Sequence, residues 1–510
     1  MLKTSRFLAL LLVLFLFATP ALAESQAETT FVMMGLEEGE TARDWSISQF
    51  FPRMQEQTGV SFTFRQYNDA TAYQTAKDEA FQNNDLPDVF FKASLTPDEE
   101  MKYLASGQLV DLSPYLEEYA PNLYAILEAR PDWRSVITQP NGAITSLPIL
   151  NGADRQCCIW INRAWLDQLG LDMPKTIEEY TEVLRAFRDK DPNANGKLDE
   201  VPLSLVGPWE AKYFLHAWGL TPNDYNIYVD ANGVVRFAPF EAEYKEFVTW
   251  LHMALQEGLI DAESFRTSQS ARSTTNTSTD TNAPLTIGGL VSSTPYTLVN
   301  MDNTTDYAVL SPLAYNGVQV YRQLLNGVGR GTFAITSACT DVPAALRWID
   351  TLYTEEGGRL AFAGLEGEDY TMNANGTWTL NMQGDYTRLT EIVNNAIIAG
   401  DAFTPGLEPA AFMRNSEIVA DNHARKQVDG IRNTLVEPFP VTWPTNPERE
   451  SRISELQMQL ATHLDTAIAN FAMGKAELTD ANWQALMDEL NALGAEEFVL
   501  LWQETYDEVK

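Results

Sequence analysis

The chain has 510 residues and a formal net charge of −35 at pH 7, with 45% hydrophobic and 11% aromatic residues. This composition is sufficient for two or three packed domains. The negative charge argues against nucleic acid and anionic lipid as partners, because both require a basic protein face. Four histidines, none spaced as paired ligands, argue against a zinc site. Three cysteines are too few for a disulfide framework, and we interpret Cys157, Cys158 and Cys339 as small buried apolar residues.

The first residues have the three parts of a secretory signal peptide. Lys3 and Arg6 supply positive charge, residues 8–17 form an apolar core, and residues 21–23 form a small-residue cleavage motif. The apolar core is shorter than the ~20 residues of a membrane-spanning helix. We therefore predict cleavage after Ala23 and export of the remaining chain.

Strand-like and helical patterns alternate from Thr29 onward. The runs TTFVMMG, VSFTFRQYN and LPDVFF predict strands, and the segments between them predict helices. This order predicts an α/β protein with a mainly parallel sheet and helices on its faces. Such sheets bind ligands at the carboxyl ends of their strands, so Glu37, Lys92 and Ser94 become candidate ligand-binding residues. Each of them could equally be a solvated loop residue.

A second series of strands and helices begins at CCIWIN. One helix starts at Thr176, which precedes Glu179 by three residues, the spacing of a capping box. Helical spacing predicts that one face of this helix is buried. That face carries Tyr180, Val183, Leu184 and Phe187.

The run DPNANGKLDE follows this helix and has oxygen-bearing side chains at alternate positions around Gly196. This pattern is typical of an EF-hand calcium loop. An EF-hand has a bidentate Glu at position twelve, which is Pro202 here, so the loop is shortened and closes at Glu200. An ordinary polar turn is the alternative, because Asp-Pro and Asn-Gly are turn dipeptides. We predict a structural calcium ion (Ca²⁺) with the ligands Asp191, Asn193, Asn195, the main-chain oxygen of Lys197, Asp199 and Glu200.

The run INRAWLDQLGLDMPKTIEEYTEVLRAFRDKDPNANGKLDEVPLS resembles the signature segment of family 1 extracellular solute-binding proteins, the sugar-binding components of ABC importers. LPDVFF, GQLVDLSPYLEEYAPNL, EGLIDAESF, ITSACTDVPAALRWIDTLYTEEG, GLEGEDYT and WQETYDE stand in the order of that family. The resemblance covers nearly the whole chain after residue 23. The calcium loop is similar to that of large oligosaccharide-binding members, including alginate-binding ones, in which it holds a structural calcium ion.

The resemblance implies a two-lobed, periplasmic-binding-protein-like (type II) α/β fold with a ligand cleft between the lobes. The N-terminal lobe would comprise residues 24–150 and 316–356, and the C-terminal lobe residues 151–315 and 357–510. The implied function is capture of an oligosaccharide by lobe closure and its delivery to ABC transporter permease subunits, by a monomer and without catalysis. No cysteine precedes Gln156, so no lipobox is present. A periplasmic, extracellular or cell-surface location is therefore expected, and not a lipoprotein.

Aromatic residues with polar neighbours suit sugar binding, because sugars pack their C–H faces on aromatic rings. Trp209 and Tyr213 lie beside Glu210 and Lys212, whereas Trp218 fits a core position. Two further candidate ligand-binding residues are Tyr296, in a loop, and Tyr370, near a chain crossing. An acidic sugar would need local basic groups, for which the candidates are Lys92, Arg155 and Lys212.

Two other classes of function are alternatives. A glycoside hydrolase would use two carboxylates at a fixed separation, but the many acidic residues make this signal unspecific, and no catalytic motif is present. A secreted calcium-binding carbohydrate-adhesion protein would also carry calcium loops, usually in repeats. This chain has one loop and no internal period, so we predict a binding protein and not an enzyme.

Overall fold

The computed structural model describes residues 29–37, 43–150, 156–266, 285–323, 327–382, 386–399, 403–417, 419–440, 443 and 446–509. The predicted signal peptide and Arg155 lie outside these ranges. The strands are β1 (Thr29–Leu36), β2 (Val60–Tyr67), β3 (Val89–Phe91), β4 (Leu147–Leu150), β5 (Cys158–Asn162), β6 (Ser204–Leu205), β7 (Ile227–Val229), β8 (Val235–Phe237), β9 (Gly289–Ser292), β10 (Tyr307–Val309), β11 (Tyr321–Arg322), β12 (Val328–Ile335), β13 (Tyr370–Met372), β14 (Trp378–Leu380), β15 (Gly406–Leu407) and β16 (Leu435–Val436).

The α-helices are α1 (Phe50–Thr58), α2 (Ala70–Asn83), α3 (Pro97–Ala105), α4 (Leu116–Tyr119), α5 (Pro121–Ala129), α6 (Pro131–Ile137), α7 (Arg163–Leu169), α8 (Ile177–Asp189), α9 (Ala242–Gln256), α10 (Val342–Asp350), α11 (Glu355–Ala363), α12 (Tyr386–Asn395), α13 (Ala410–Met413), α14 (Val419–Asp429), α15 (Pro447–Ala472), α16 (Asp480–Ala492) and α17 (Ala495–Val509). In the described ranges, no helix combines the length and apolar character that crossing a bilayer requires.

Six strands form the first sheet, in the order β15-β4-β12-β3-β1-β2. β1 pairs in parallel with β2 and β3, and β12 runs antiparallel to β3 and β4. Neighbouring residues of one strand, such as Met33 and Met34 in β1, belong to different apolar clusters. Because adjacent strand residues point to opposite faces, both faces of this sheet are buried under helices, as an α/β fold requires.

Four strands form the second sheet, in the order β10-β5-β9-β6. β5 runs antiparallel to β9 and β10, and β6 runs parallel to β9. A large apolar core extends from Cys157 to Phe498 and includes residues of α8, α9, α15 and α16. Trp218 is buried in this core, as predicted. All three cysteines are buried and free.

Helix α8 shows how the local sequence sets the fold around the predicted calcium loop. The Thr176 hydroxyl accepts a hydrogen bond from the Glu179 backbone N–H, while the Glu179 carboxylate accepts one from the N–H of Lys175. The carboxylate therefore reaches one residue further back than in a standard capping box. The four apolar residues of the predicted face are all buried, which fixes the end of α8 against the second core.

The lobe boundaries taken from the sequence remain a prediction. The sheet or core to which a residue belongs shows where these boundaries can be refined. Tyr321 packs in the core of the second sheet. Leu360 and Ile398 pack in the core of the first sheet. β15 is the edge strand of the first sheet because it pairs with β4, so part of the chain after residue 356 accompanies that sheet.

Candidate functional site

Two connections link strands of the first sheet to strands of the second, and the described residues that flank them lie close together. One leads from Leu150 in β4 to Gln156 before β5, and the other leads from Arg322 in β11 to Val328 in β12. Leu150 and Val328 are paired in the first sheet. The Gln156 side-chain amide donates a hydrogen bond of 3.0 Å to the carbonyl oxygen of Arg322. Strand ends from both sheets therefore meet at these connections.

We name the two sets of strand ends that meet here. The N edge consists of Glu37 and residues 92–95 and 328–331 of the first sheet, which are held in register by hydrogen bonds from the N–H groups of Ala93 and Leu95. The C edge consists of residues 156–158, 206–209 and 292–297 of the second sheet, where Cys158 pairs with Ser292. Carboxyl ends of parallel strands are where α/β sheets bind ligands.

Glu37 and Lys92 form a buried ion pair at the N edge. They are 3% and 1% exposed, and Lys92 Nζ lies 2.6 Å from Glu37 Oε2. Arg43 donates to the other carboxylate oxygen at 2.6 Å, and Trp45 Nε1 donates to Oε2 at 3.0 Å. The protein itself supplies both charge and hydrogen-bond partners to this carboxylate. This geometry favours a structural role for two residues that the sequence predicts as ligand-binding.

The turn after β3 has an uncommon backbone conformation. Lys92 and Ser94 have φ angles of 51° and 49°, in the left-handed region that non-glycine residues rarely adopt. The Ser94 carbonyl accepts a hydrogen bond of 3.1 Å from Lys77 Nζ, and Lys77 also pairs with Glu99. Such conformations persist where surrounding contacts enforce them, often at binding sites. Ser94 therefore stands, half-buried, on a rigid turn of the N edge.

Trp209 presents an exposed aromatic ring at the C edge. It lies in the 3-10 helix Pro208–Trp218, which follows β6, and is 49% exposed. A Cβ atom at position 207 would lie 2.7 Å from Trp209 Nε1. Glycine is thus required for the indole to lie against this backbone. The ring is held in place while much of its surface stays accessible.

Tyr213, one turn further along the 3-10 helix, is buried. The Arg322 guanidinium lies 4.7 Å from the centroid of its ring, and Arg322 Nη2 lies 3.4 Å from its hydroxyl oxygen. Burial raises the pKa of the Tyr213 phenol. Arg322 also donates to the Pro222 carbonyl and pairs with Asp224. Tyr213 therefore packs against Arg322 at the end of β11, and the sequence analysis missed Arg322.

The remaining two candidate aromatic residues lie in different surroundings. Tyr296 is in the short 3-10 helix Pro295–Thr297 at the C edge. Tyr370 is buried in a small apolar cluster around β13 and β14. Its ring centroid lies 5.7 Å from that of Trp378 and 5.3 Å from that of Phe412. The structure thus places Tyr296 with Trp209 at the C edge, whereas the contacts of Tyr370 are those of a packing residue.

Three further residues of interest lie beside the N edge. Glu100 of α3 is fully buried, and its Oε2 accepts hydrogen bonds from the hydroxyls of Thr145 (2.9 Å) and Ser146 (2.8 Å). Its Oε1 has no hydrogen-bond partner among the described residues. Burial raises the pKa of Glu100 to about 7 and lowers that of Arg330 to about 10. The Arg330 guanidinium lies 4.1 Å from the centroid of the Trp443 ring.

No local signal marks these three residues in the sequence. Glu100 stands in the first turn of α3, where acidic residues are ordinary because they complement the helix dipole. Arg330 belongs to a strand, and Trp443 to a loop followed by proline. Their proximity depends on long-range packing, which spacing along the chain does not report.

The predicted calcium loop turns its oxygen-bearing side chains inward. The Asn195 N–H donates to Asp191 Oδ1 (3.1 Å) and Asn193 Oδ1 (3.0 Å), and the Lys197 N–H donates to Asn195 Oδ1 (2.8 Å). Asn195 Nδ2 donates to Asp199 Oδ1 at 2.9 Å. Gly196, with a φ of 82°, makes the turn. The structure thus brings together the side chains that the spacing predicts as ligands.

Glu200 closes the loop with a buried carboxylate. It is 9% exposed, and neither carboxylate oxygen has a hydrogen bond of normal geometry within the described ranges. Burial raises the pKa of Glu200, and the charges of Asp191 and Asp199 raise it further, while nearby backbone N–H groups offset part of the shift. An uncompensated buried carboxylate is costly, so these residues fit a bound cation.

The donor set of this loop is mixed. Clusters of three or more His, Cys, Asp or Glu side chains suited to a metal are absent from the described part of the chain. The loop instead combines Asp and Glu carboxylates with Asn side-chain oxygens and a main-chain oxygen, the oxygen-rich set that calcium prefers.

A family model described as bacterial extracellular solute-binding protein matches residues 38–359. In sequence, the chain is similar to the fructooligosaccharide ABC transporter substrate-binding protein FusA of Streptococcus pneumoniae serotype 4 (strain ATCC BAA-334 / TIGR4). The two are 26% identical over 491 residues, which cover 89% of this chain and 86% of FusA.

Solved structures share the fold over 94% of this chain. An EF-hand mutant of Streptococcus pneumoniae FusA in complex with fructo-nystose matches with a TM-score of 0.75, 22% identity and 99% of that chain covered. An HMO-binding, ABC-transporter-associated solute-binding protein from Bifidobacterium longum infantis matches with 0.78, 20% and 99%. The alginate-binding protein AlgQ2 without calcium ion matches with 0.73, 19% and 98%. The predicted fold class is confirmed, and the chain belongs to the bacterial extracellular solute-binding protein family.

Proposed function

We propose that this protein is the substrate-binding subunit of a carbohydrate ABC importer and that it binds an oligosaccharide between the N edge and the C edge. The observation that carries this proposal is the exposed, backbone-supported ring of Trp209 at the place where strand ends of both sheets meet. The relatives support it, because FusA is named for fructooligosaccharides and the Bifidobacterium protein is described as HMO-binding.

The chemistry of the two edges suits a sugar. The C–H face of a pyranose or furanose ring packs on an indole, and its hydroxyls need fixed polar partners. In this proposal Trp209 supplies the aromatic surface and Ser94 a hydroxyl group from the N edge, and Tyr296 stays a proposed ligand-binding residue of the C edge. The Glu37–Lys92 pair holds the N-edge turn in its strained conformation and leaves sugar contact to its neighbours.

The proposed mechanism is closure of two lobes over the ligand, without a chemical step. A ligand that contacts both edges stabilises the closed arrangement to the extent that it binds that arrangement more tightly than the open one. Small-angle scattering should then show a smaller radius of gyration with a bound oligosaccharide. An unchanged radius would count against closure.

We further propose that the chain is exported through the predicted signal peptide and acts as a monomer in the periplasm or at the cell surface. Its protein partners would be the permease subunits of the importer. A strongly acidic chain is compatible with this role, since small-ligand sites are set by local groups and not by net charge. Co-purification with ABC permease subunits is the direct check.

We propose a structural calcium ion in the loop of residues 191–200. Asp191, Asn193, Asn195, Asp199, Glu200 and the main-chain oxygen of Lys197 would hold it. The ion would supply the positive charge that the buried Glu200 carboxylate lacks. Neighbours described as an EF-hand mutant and as a calcium-free form support this proposal. The loop lies beside α8 and the backbone of Leu285, so its role is to brace the second sheet.

A thermal-shift screen against defined oligosaccharides tests the proposed function, because a ligand that binds the native state raises the melting temperature. We expect stabilisation by a subset of them and no release of reducing sugar. Turnover of a bound glycan would show an enzyme instead. Binding of polymeric glycan alone, with no oligosaccharide bound, would favour the adhesion alternative.

A further inference from the structure

Trp443 differs from the other buried tryptophans in what surrounds it. It is 7% exposed, yet it is a member of none of the apolar core clusters formed by the described residues. Its chain neighbours Phe439 and Ile453 belong to the second core. Its ring, however, lies on the guanidinium of Arg330 in β12 of the first sheet. The Trp443 ring thus contacts the N edge of the first sheet, although Phe439 and Ile453 pack in the second core.

Two buried polar atoms beside Arg330, one on Trp443 and one on Glu100, could bind the same hydroxyl group. Trp443 Nε1 is a donor and Glu100 Oε1 is an acceptor when the carboxyl group is ionised, and neither has a hydrogen-bond partner among the described residues. Both side chains are more than nine-tenths buried. A sugar hydroxyl can accept from the first and donate to the second, because a hydroxyl does both. Trp348 Nε1 also has no partner in the described ranges, but its ring packs in an apolar core against Phe62.

The charges around this place are mainly negative. Arg330 interacts electrostatically with Glu100 and with Asp98 at the start of α3. From the other half, Glu450 of α15 faces Asp98, and burial together with the Asp98 charge raises the pKa of Glu450. Two carboxyl groups therefore face the Arg330 guanidinium, and a third, that of Glu450, lies near Asp98 and Arg449. A carboxylate on the ligand would be repelled here.

Within the described ranges, the two basic residues that the sequence offers for an acidic sugar are engaged in ion pairs, and Arg155 lies outside those ranges. Lys92 is paired with Glu37, and Lys212 Nζ lies 3.1 Å from Asp465. Neutralising a uronate with Lys92 or Lys212 would therefore require breaking an existing ion pair. This observation agrees with the acidic surroundings of Arg330.

We propose that Trp443, Arg330 and Glu100 form a hydroxyl-binding subsite of the sugar cleft and that the cleft selects uncharged oligosaccharides over uronic-acid oligosaccharides. This inference rests on the proposed function and narrows its substrate class. Arg330 belongs to the first sheet, whereas the residues on either side of Trp443 in the chain pack in the second core. The subsite is therefore complete only when the two lobes are closed. It therefore links recognition of a neutral sugar to closure.

The test is isothermal titration of the full mature chain with kestose, maltotriose and xylotriose as neutral probes and trigalacturonate as the acidic probe. Trp443→Phe removes the indole donor and keeps an aromatic ring, and Glu100→Gln changes the acceptor without leaving a cavity. Trp348→Phe is the matched control, since it removes an equally partnerless indole N–H from an apolar core. Melting curves verify that each variant is folded.

We expect the wild type to bind a neutral probe more tightly than trigalacturonate. Trp443→Phe and Glu100→Gln should each weaken that binding by about tenfold, the value of one hydrogen bond, while Trp348→Phe leaves affinity within about twofold. Unchanged affinity in both cleft variants would overturn the subsite and leave the proposed function intact. Tighter binding of trigalacturonate would overturn the substrate class. Binding of no oligosaccharide by the wild type would overturn the proposed function itself.

Discussion

Two buried glutamates at the first sheet, Glu37 and Glu100, differ in how many hydrogen-bond and charge partners their carboxyl oxygens have. Glu37 receives Lys92, Arg43 and the Trp45 indole, so both of its oxygens are occupied. Glu100 receives hydroxyl groups on one oxygen and has no hydrogen-bond partner in the described ranges for the other. A buried polar group that is fully satisfied holds structure together, whereas one that is partly satisfied needs an explanation such as a ligand.

The largest expected effect concerns Glu37, whose two carboxylate oxygens both have partners. Lys92→Met should lower the free energy of unfolding by about 4 kcal/mol, because removing one partner of a buried ion pair leaves the other charge uncompensated. Urea denaturation measures this loss, and the double variant Glu37→Gln/Lys92→Met should recover part of it. Sugar affinity of folded Lys92→Met should stay within about threefold of wild type. A large loss of affinity with little loss of stability would make Lys92 a ligand-binding residue after all.

The second prediction concerns how the free energy of unfolding depends on pH through Glu100, which has partners for only one carboxyl oxygen among the described residues. Burial raises the pKa of Glu100 from 4.5 to about 7, with Arg330 opposing the shift and Glu99 adding to it. The stability that Glu100 contributes is therefore fully present below about pH 4.5 and is lost as pH rises through about 7, by about 3 kcal/mol in total. Glu100→Gln should remove this dependence and be more stable than wild type at pH 8. Equal pH profiles of the two proteins would contradict the assignment.

Much of the fold and part of the site could be predicted because their signals are local. Periodicity located α8 and its buried face, and the alternating oxygens located the loop that ends at Glu200. Whether Lys92 faces a ligand or Glu37 depends on side chains far away in sequence. The same is true of Tyr370, whose ring packs edge-on against Trp378 and Phe412. The contact between Arg330 of β12 and Trp443 of a loop joins residues far apart in the chain, so no short sequence window contains both.

Glu200 extends the comparison to a third buried carboxylate, for which the proposed partner is a calcium ion. Chelation of calcium should lower the free energy of unfolding by about 3 kcal/mol when the free ion had been present at about a hundred times its Kd. Differential scanning calorimetry with and without chelator measures this effect, and Glu200→Gln should greatly reduce it. Sugar affinity should change far less than stability. If chelation reduced both equally, the ion would belong to the sugar site.

The smallest expected free-energy change concerns Trp209, whose ring is half-exposed and contributes little to the core. Trp209→Ala should weaken oligosaccharide binding by about tenfold, close to 1.4 kcal/mol, with a small change in melting temperature. Trp133→Ala is the matched control, because Trp133 is also partly exposed but stacks on Arg130 in the first half. Equal affinities of the two variants would remove Trp209 from the site.

The central claim is that a bound sugar contacts the buried polar atoms beside Arg330 that have no hydrogen-bond partner among the described residues. NMR of isotope-labelled tryptophan indoles tests it most directly, with signals assigned through the Phe variants of Trp443 and Trp348 and the Ala variant of Trp209. Addition of a neutral oligosaccharide that binds should move the indole N–H signals of Trp443 and Trp209 and leave that of Trp348 in place. A bound sugar that moves Trp209 while Trp443 keeps its free-state signal would contradict the claim.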